Sequence, residues 1–162
     1  RETLFNWLQG IVPGARVLDL FAGSGALAFE ALSRGAAEAV LVERHRAALA
    51  ALREAAADLA PGQASIVASD ALAWLGRGAT GARFDLVFLD PPFAGDLARA
   101  ALTALTAPDL LAADAQVYVE WPSSSPAPFD AAHWNVLKST RAGDSTGALL
   151  TRTEGGDATT GT

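Results

Sequence analysis

Asp90-Pro91-Pro92-Phe93 is the segment whose residue types speak most directly of chemistry. It follows Phe84 to Leu89 (FDLVFL), an apolar run that reads as a buried strand. Two consecutive prolines cannot extend a central strand, so the chain must break there, at the carboxyl edge of a sheet. The break exposes two acceptors, the Asp90 carboxylate and the Pro91 carbonyl, with no local donor for either. An exocyclic amino group on a nucleobase carries two N–H donors and would satisfy both. The lone pair of such a nitrogen is conjugated with the ring, which makes it a poor nucleophile. Accepting both hydrogens would hold the nitrogen towards tetrahedral geometry and stabilise the positive charge that develops on attack. Phe93 would then stack on the base. The plainer reading is a strand-ending turn with the aromatic ring tucked into the core. On the first reading Asp90, Pro91, Pro92 and Phe93 are the catalytic candidates.

A second group lies earlier in the chain. Gly23 and Gly25, in Ala22-Gly23-Ser24-Gly25, allow a sharp turn and a close approach of backbone to a ligand before a helix begins. Glu43 ends the next strand, where a carboxylate can accept both hydroxyls of a ribose. Gly23-x-Gly25-x-x-Ala28 with Glu43 fits a dinucleotide fingerprint as written, and so points to some adenosine-bearing cofactor. Asp19 narrows the choice. It lies inside the first strand just before the glycine turn, where it would repel a pyrophosphate but suit the sulfonium and amino group of S-adenosylmethionine. Alternatively it ties down the amides of the loop, and Glu43 is an ordinary solvated strand-end charge. Asp70 is placed to meet an adenine amino group, and equally to cap a helix.

These residues need elements to hold them. Short β-rich runs alternate with amphipathic, alanine-rich stretches: helix 1–8, strand 16–20, helix 26–33, strand 39–42, helix 46–59, strand 65–68 and a short helix 71–75. After a loop at 76–81 come strand 84–89, helix 96–105 and strand 116–120. Residues 122–128 form a Ser/Pro-rich loop, and 134–139 with 147–151 a closing antiparallel pair. The pattern predicts an α/β domain over residues 1–152, a doubly wound and mostly parallel sheet with a C-terminal antiparallel strand pair, and a disordered tail at 153–162. In such a sheet the ligand binds outside the carboxyl ends of the strands. The glycine turn, Glu43, Asp70 and Asp90 all fall there.

Composition excludes several classes. Cysteine is absent and only His45 and His133 are imidazoles, so disulfides, a thiol nucleophile and a zinc centre are not expected. No apolar run reaches the length of a membrane span and no signal-like start is present, so the expectation is a cytoplasmic protein with no membrane contact, a monomer by default. The net charge of −6 runs against nucleic-acid binding, although the basic residues are almost all arginine, the better partner for phosphates and base edges. Trp7, Trp74 and Trp134 read as packing residues, Trp121 as packing with some reach towards a cleft, and His133 as a surface residue without a partner.

Val17 to Gly25 (VLDLFAGSG), Glu30 to Gly35 (EALSRG), Asp85 to Phe93 (DLVFLDPPF) and the opening Arg1 to Leu8 (RETLFNWL) together resemble the RsmD-type 16S ribosomal RNA (guanine-N2)-methyltransferases. The resemblance covers residues 1 to about 152, and RETLFNWL and EALSRG are its more specific parts. It implies a Rossmann-like methyltransferase acting on guanine in the assembling small ribosomal subunit, with ribosomal RNA as partner. It also implies that Asp19, Phe21, Gly23, Ser24, Gly25, Glu43 and Asp70 hold S-adenosylmethionine and that Asp90 to Phe93 carry catalysis. Two departures stand out. His45 occupies a position usually held by Asp, which leaves the next helix less well capped. A basic segment that such proteins carry ahead of Arg1 is absent from this sequence, which would account for the acidic balance. Competing readings are methylation of DNA adenine or of a protein amide and, from other classes, a nicotinamide-dependent dehydrogenase or a non-catalytic module of the same fold.

Overall fold

Parallel strands need crossover helices, and the alternating pattern supplies them. A computed structural model describes residues 2–77, 83–91 and 96–153. Among these, α1 (Glu2–Trp7) precedes β1 (Arg16–Asp19), α2 (Ala26–Ser33), β2 (Glu38–Glu43), α3 (Arg46–Leu59), β3 (Ala64–Ala68), α4 (Ala71–Gly76), β4 (Phe84–Leu89) and α5 (Asp96–Ala104). The chain closes with β5 (Leu111–Pro122), β6 (Trp134–Ala142) and β7 (Ser145–Arg152). The sheet order is β3-β2-β1-β4-β5-β7-β6, with β7 antiparallel to both of its neighbours and the other pairings parallel. Successive connections leave β1 first towards β2 and later towards β4, so the switch point lies between β1 and β4.

Side chains alternate across the pleat and fill two cores. On one face Leu18, Val87, Val117 and Leu150 pack with Ala71, Leu75, Ala98 and Leu102 from α4 and α5. On the other, Val17, Leu41, Phe88 and Leu149 pack with Leu4, Phe5, Ala28 and Leu52 from α1, α2 and α3. The central strands are apolar on both faces because helices cover both.

Two expectations need correction. The fifth strand begins at Leu111, not Gln116, through a register shift in which Phe84 pairs with Leu111 and Leu86 with Gln116. The intervening Ala112-Ala113-Asp114-Ala115 is too small and polar to read as a strand. The closing pair is also longer than expected, because β6 continues to Ala142 and turns on Gly143-Asp144, with Gly143 at φ 63°, into β7. β6 is the outer strand and nearly all of it is exposed, so it lacks the apolar alternation that marks a half-buried strand. Thr153, placed in the tail on sequence grounds, donates its amide to the carbonyl of His133; the rest of that predicted tail, 154–162, lies outside the described residues, as do 78–81 of the predicted loop.

The two glycines of the turn differ. Gly25 sits at φ 79° as the N-cap of α2, and a Cβ there would come 2.5 Å from Phe29 Cε2 and 2.8 Å from Leu52 Cδ2. Gly23 has φ 56°, but a Cβ on it would meet nothing within 4 Å. Gly25→Ala is therefore expected to lower stability by about 3 kcal/mol in urea unfolding, from combined backbone strain and overpacking. Gly23→Ala should cost about 1 kcal/mol, the strain alone.

Candidate active site

Strand register brings the acidic residues together. Asp19 pairs with Leu41 on one side and Phe88 on the other, Phe88 pairs with Tyr118, and Tyr118 with Leu149. In-register residues share a face, so Leu41, Asp19, Phe88, Tyr118 and Leu149 form one row across the sheet. Two residues further along the chain in β2, β4 and β5 come Glu43, Asp90 and Glu120, at the carboxyl edge and on the same side. These residues open on a cleft of about 900 Å³ that Ser24, Arg44 and Asp70 also line.

Asp19 is only 5% exposed. Burial, assisted by repulsion from Asp90 and Glu43 and opposed by the Ala28 amide, pushes its carboxyl up to about 7. Asp90, beyond the end of β4, opens on the cleft; loss of water around it and repulsion from Glu120 raise its carboxyl to about 6. Pro91, the next residue, is buried and is not among the residues that line the cleft. Pro92 and Phe93 lie outside the described residues.

Glu43 is 7% exposed, so it is not a solvated strand-end charge. Its Oε1 accepts the Gly23 amide at 2.8 Å and its Oε2 the His45 amide at 2.9 Å, locking the glycine turn to the end of β2. Each carboxylate oxygen keeps a further acceptor position. The turn is held again by Ala22 N–H donating to Val42 O at 3.1 Å and Gly25 N–H to Ala22 O at 2.7 Å. His45 makes no side-chain cap at the start of α3, as its departure from the usual Asp implies.

Asp70 does two things. Its Oδ2 accepts the Ala73 amide at 3.0 Å and caps α4, while Oδ1 lies 3.7 Å from Arg44 Nη1 at the rim of the cleft. Of the remaining candidates, Phe21, Gly23 and Ser24 line the cleft, whereas Gly25 is turned into the core. Trp121 packs edge-on against Phe129 with ring centroids 5.5 Å apart and does not line the cleft. Trp134 is buried in the core. His133 has a partner after all: its Nδ1 sits 2.8 Å from Asp130 Oδ1 on the surface.

Sequence reasoning missed Tyr118 and Glu120, which both line the cleft. The Tyr118 hydroxyl donates to Glu120 Oε2 at 2.7 Å, and burial together with this bond pushes its own ionisation far up. Their signal was the same one that marked Glu43, an acid at the last position of an apolar strand run (QVYVE).

The family described as "Conserved hypothetical protein 95" matches residues 1–151. Ribosomal RNA small subunit methyltransferase D of Escherichia coli K12 is 41% identical over 143 residues, 88% of this chain and 71% of that one. The chain belongs to the methyltransferase D (RsmD) family. The solved structure of the yhhF protein of Escherichia coli, 40% identical, superposes with TM-score 0.87 over 93% of this chain and 84% of its own. A ribosomal protein L11 methylase from Lactobacillus delbrueckii, at 20% identity and TM-score 0.74 over 92% and 75%, shares the fold alone. The architecture of this RsmD-family chain is thus the Rossmann-like fold of methyltransferases, as the family resemblance implied.

The buried Asp19 makes a thermodynamic prediction. Its folded-state value of about 7 lies above the ordinary 3.8, so between these values the folded protein binds more protons than the unfolded chain. Stability of the ligand-free protein should therefore fall as pH rises through that window, with Asp90 contributing in its lower part. Asp19→Asn is expected to raise the melting temperature at pH 8 by about 5 °C and to flatten its dependence on pH, measured by scanning calorimetry from pH 4 to 8.

Proposed function

We propose that this chain transfers the methyl group of S-adenosylmethionine to the exocyclic N2 of a guanine in small-subunit ribosomal RNA, acting as a cytoplasmic monomer on the assembling subunit. The observation that carries the reading is the juxtaposition of Asp90, at the broken end of β4, with the buried Asp19 in one cleft at the switch point.

The donor set fits this cofactor. Asp19 presents a carboxylate where a sulfonium and an ammonium group carry positive charge, and where a pyrophosphate would be repelled. That is also the argument against a nicotinamide dinucleotide. Glu43 offers the free acceptor positions of its two oxygens to ribose hydroxyls, and Asp70 offers Oδ1 to the adenine amino group beside Arg44. Gly23, Ser24 and Phe21 shape the wall between them, and Gly25 sets the turn from behind. When bound, the cofactor supplies an electrophilic methyl group on sulfur.

The chain supplies the rest. Asp90 Oδ and the Pro91 carbonyl each accept one hydrogen of the target amino group, which frees its lone pair and stabilises the cation formed on nitrogen, whose surplus proton is then lost to water. Phe93 is assigned the face of the base, and Pro92 belongs to the same catalytic motif. Guanine N2 lies on the minor-groove edge, so the base enters the cleft unpaired or flipped out. The RNA substrate is supported by the family and by the name of its Escherichia coli member.

The test follows labelled methyl transfer to unmethylated small-subunit particles, naked ribosomal RNA, DNA and total protein. Label is expected on guanine N2 of the RNA. Asp90→Ala should lower transfer by about 1,000-fold while changing S-adenosylhomocysteine affinity less than about threefold. Label on DNA adenine or on protein would overturn the substrate, and joint loss of transfer and cofactor binding would overturn the role of Asp90. Because Asp90 must be unprotonated to accept a hydrogen, transfer should fall as pH drops through about 6. S-adenosylhomocysteine should raise the melting temperature and NAD should not, in a thermal-shift titration.

A further inference from the structure

Asp90 takes its place in the reaction from the end of β4, and the adjacent strand β5 carries a second acid, Glu120, at the same height. Leu89 pairs with Val119, so Asp90 and Glu120 are the next residues along two hydrogen-bonded parallel strands. Both line the cleft. Glu120 is not left free to swing, because the Tyr118 hydroxyl donates to its Oε2 at 2.7 Å. The structure makes room for that arrangement: opposite Glu120 in β7 stands Gly147, and any Cβ there would collide with the Tyr118 hydroxyl and ring. One carboxylate oxygen is thereby fixed by tyrosine, and the other keeps its acceptor positions for a group in the cleft.

Three nucleobases carry an exocyclic amino group, and they differ in the ring atoms beside it. In guanine the amino-bearing carbon lies between N1–H, a donor, and N3, a bare acceptor. In adenine its only ring-nitrogen neighbour is N1 and in cytosine N3, both bare acceptors, so guanine alone offers a donor there. A carboxylate next to the group that holds the amino nitrogen would bond to guanine and repel the lone pair of the other two.

We propose that Glu120, oriented by Tyr118, accepts the N1–H of the target guanine and so selects guanine over the other amino-bearing bases. This rests on the reading of the cleft as a guanine-N2 methyltransferase site. Asp90 then serves the nitrogen that reacts and Glu120 the ring position beside it. Tyr118 is a positioning residue that acts through Glu120.

2-Aminopurine provides the probe, since it keeps the amino group on C2 but replaces N1–H with a bare nitrogen. Once the methylated guanine has been located, small-subunit particles are assembled with either guanine or 2-aminopurine at that position. Steady-state transfer is measured with the wild-type protein, Glu120→Gln and Tyr118→Phe. The wild type should prefer guanine by about 100-fold or more, as sites built around a buried hydrogen bond do. Glu120→Gln can turn its amide nitrogen towards the bare N1, so the preference should shrink at least tenfold, with gain on 2-aminopurine as well as loss on guanine. Gain on the poor substrate is a result that mere damage to the fold cannot give. Tyr118→Phe leaves the carboxylate in place but unanchored, and should raise KM for the guanine particles about threefold to tenfold with kcat little changed. It also decides the matter should Glu120→Gln not fold. A guanine preference unchanged within twofold in Glu120→Gln, or in Tyr118→Phe an unaltered KM, would overturn the assignment. A wild type that labels guanine N2 in no substrate would instead overturn the underlying function.

Discussion

A carboxylate enclosed by the middle of a β-sheet is the constraint around which this molecule is arranged. Asp19 occupies a row otherwise made of Leu41, Phe88 and Leu149, with only Tyr118 as another polar member. An unpaired charge there is unfavourable, and neighbouring Glu43 and Asp90 make it more so. Nothing in the packing of the sheet requires an acid at this point, since an apolar residue would fill the row. Its cost is of the kind proteins retain where stability is exchanged for a binding site. The same constraint explains why the cleft is acidic: Asp19 forms its floor, and Glu43, Asp90 and Glu120 open on it one row nearer the edge.

Glu43 shows how one side chain joins structure to site. By accepting the amides of Gly23 and His45 it fixes the glycine turn relative to β2, and the turn then places α2 over the sheet. An acid in that position satisfies backbone donors that would otherwise be stranded at the sheet edge. Gly23 and Gly25 divide the labour within the turn, the first facing open space and the second giving way to Phe29 and Leu52. Spacing alone presents them as equivalent, and packing separates them.

The central elements were legible because their signals are local. FDLVFL followed by two prolines, RVLDL followed by glycines, and alanine-rich stretches of helical period each name an element without reference to the rest of the chain. Glu43, Asp70 and Asp90 were found because each sits at or just past the end of such a signal, and Asp19 because an acid interrupts one. What escaped was non-local. The start of β5 joins the sheet where the Phe84 amide donates to the Leu110 carbonyl, ahead of a stretch of small residues with no strand character of its own. Tyr118 and Glu120 looked like ordinary members of a buried strand, and only the register with β4 sets them beside Asp90. The partner of His133 was three residues away on a surface turn, a contact that depends on the turn and not on either residue.

The sheet also has an open margin. Among the described residues β6 carries no partner on its outer side, and Val136 and Leu137 stand about half exposed along it. A flat apolar margin of this kind would template further strands from other molecules. Here the pairing with β7 slips between Val136 and Lys138, and the only lysine of the chain follows the slip at once, with Arg141 three residues beyond. A bulge that twists the margin and cations that must shed water to be covered are the devices by which natural sheets refuse an added strand. The hairpin that completes the fold thus also terminates it, and keeps an apolar, cysteine-free domain from growing into a fibre through its own edge.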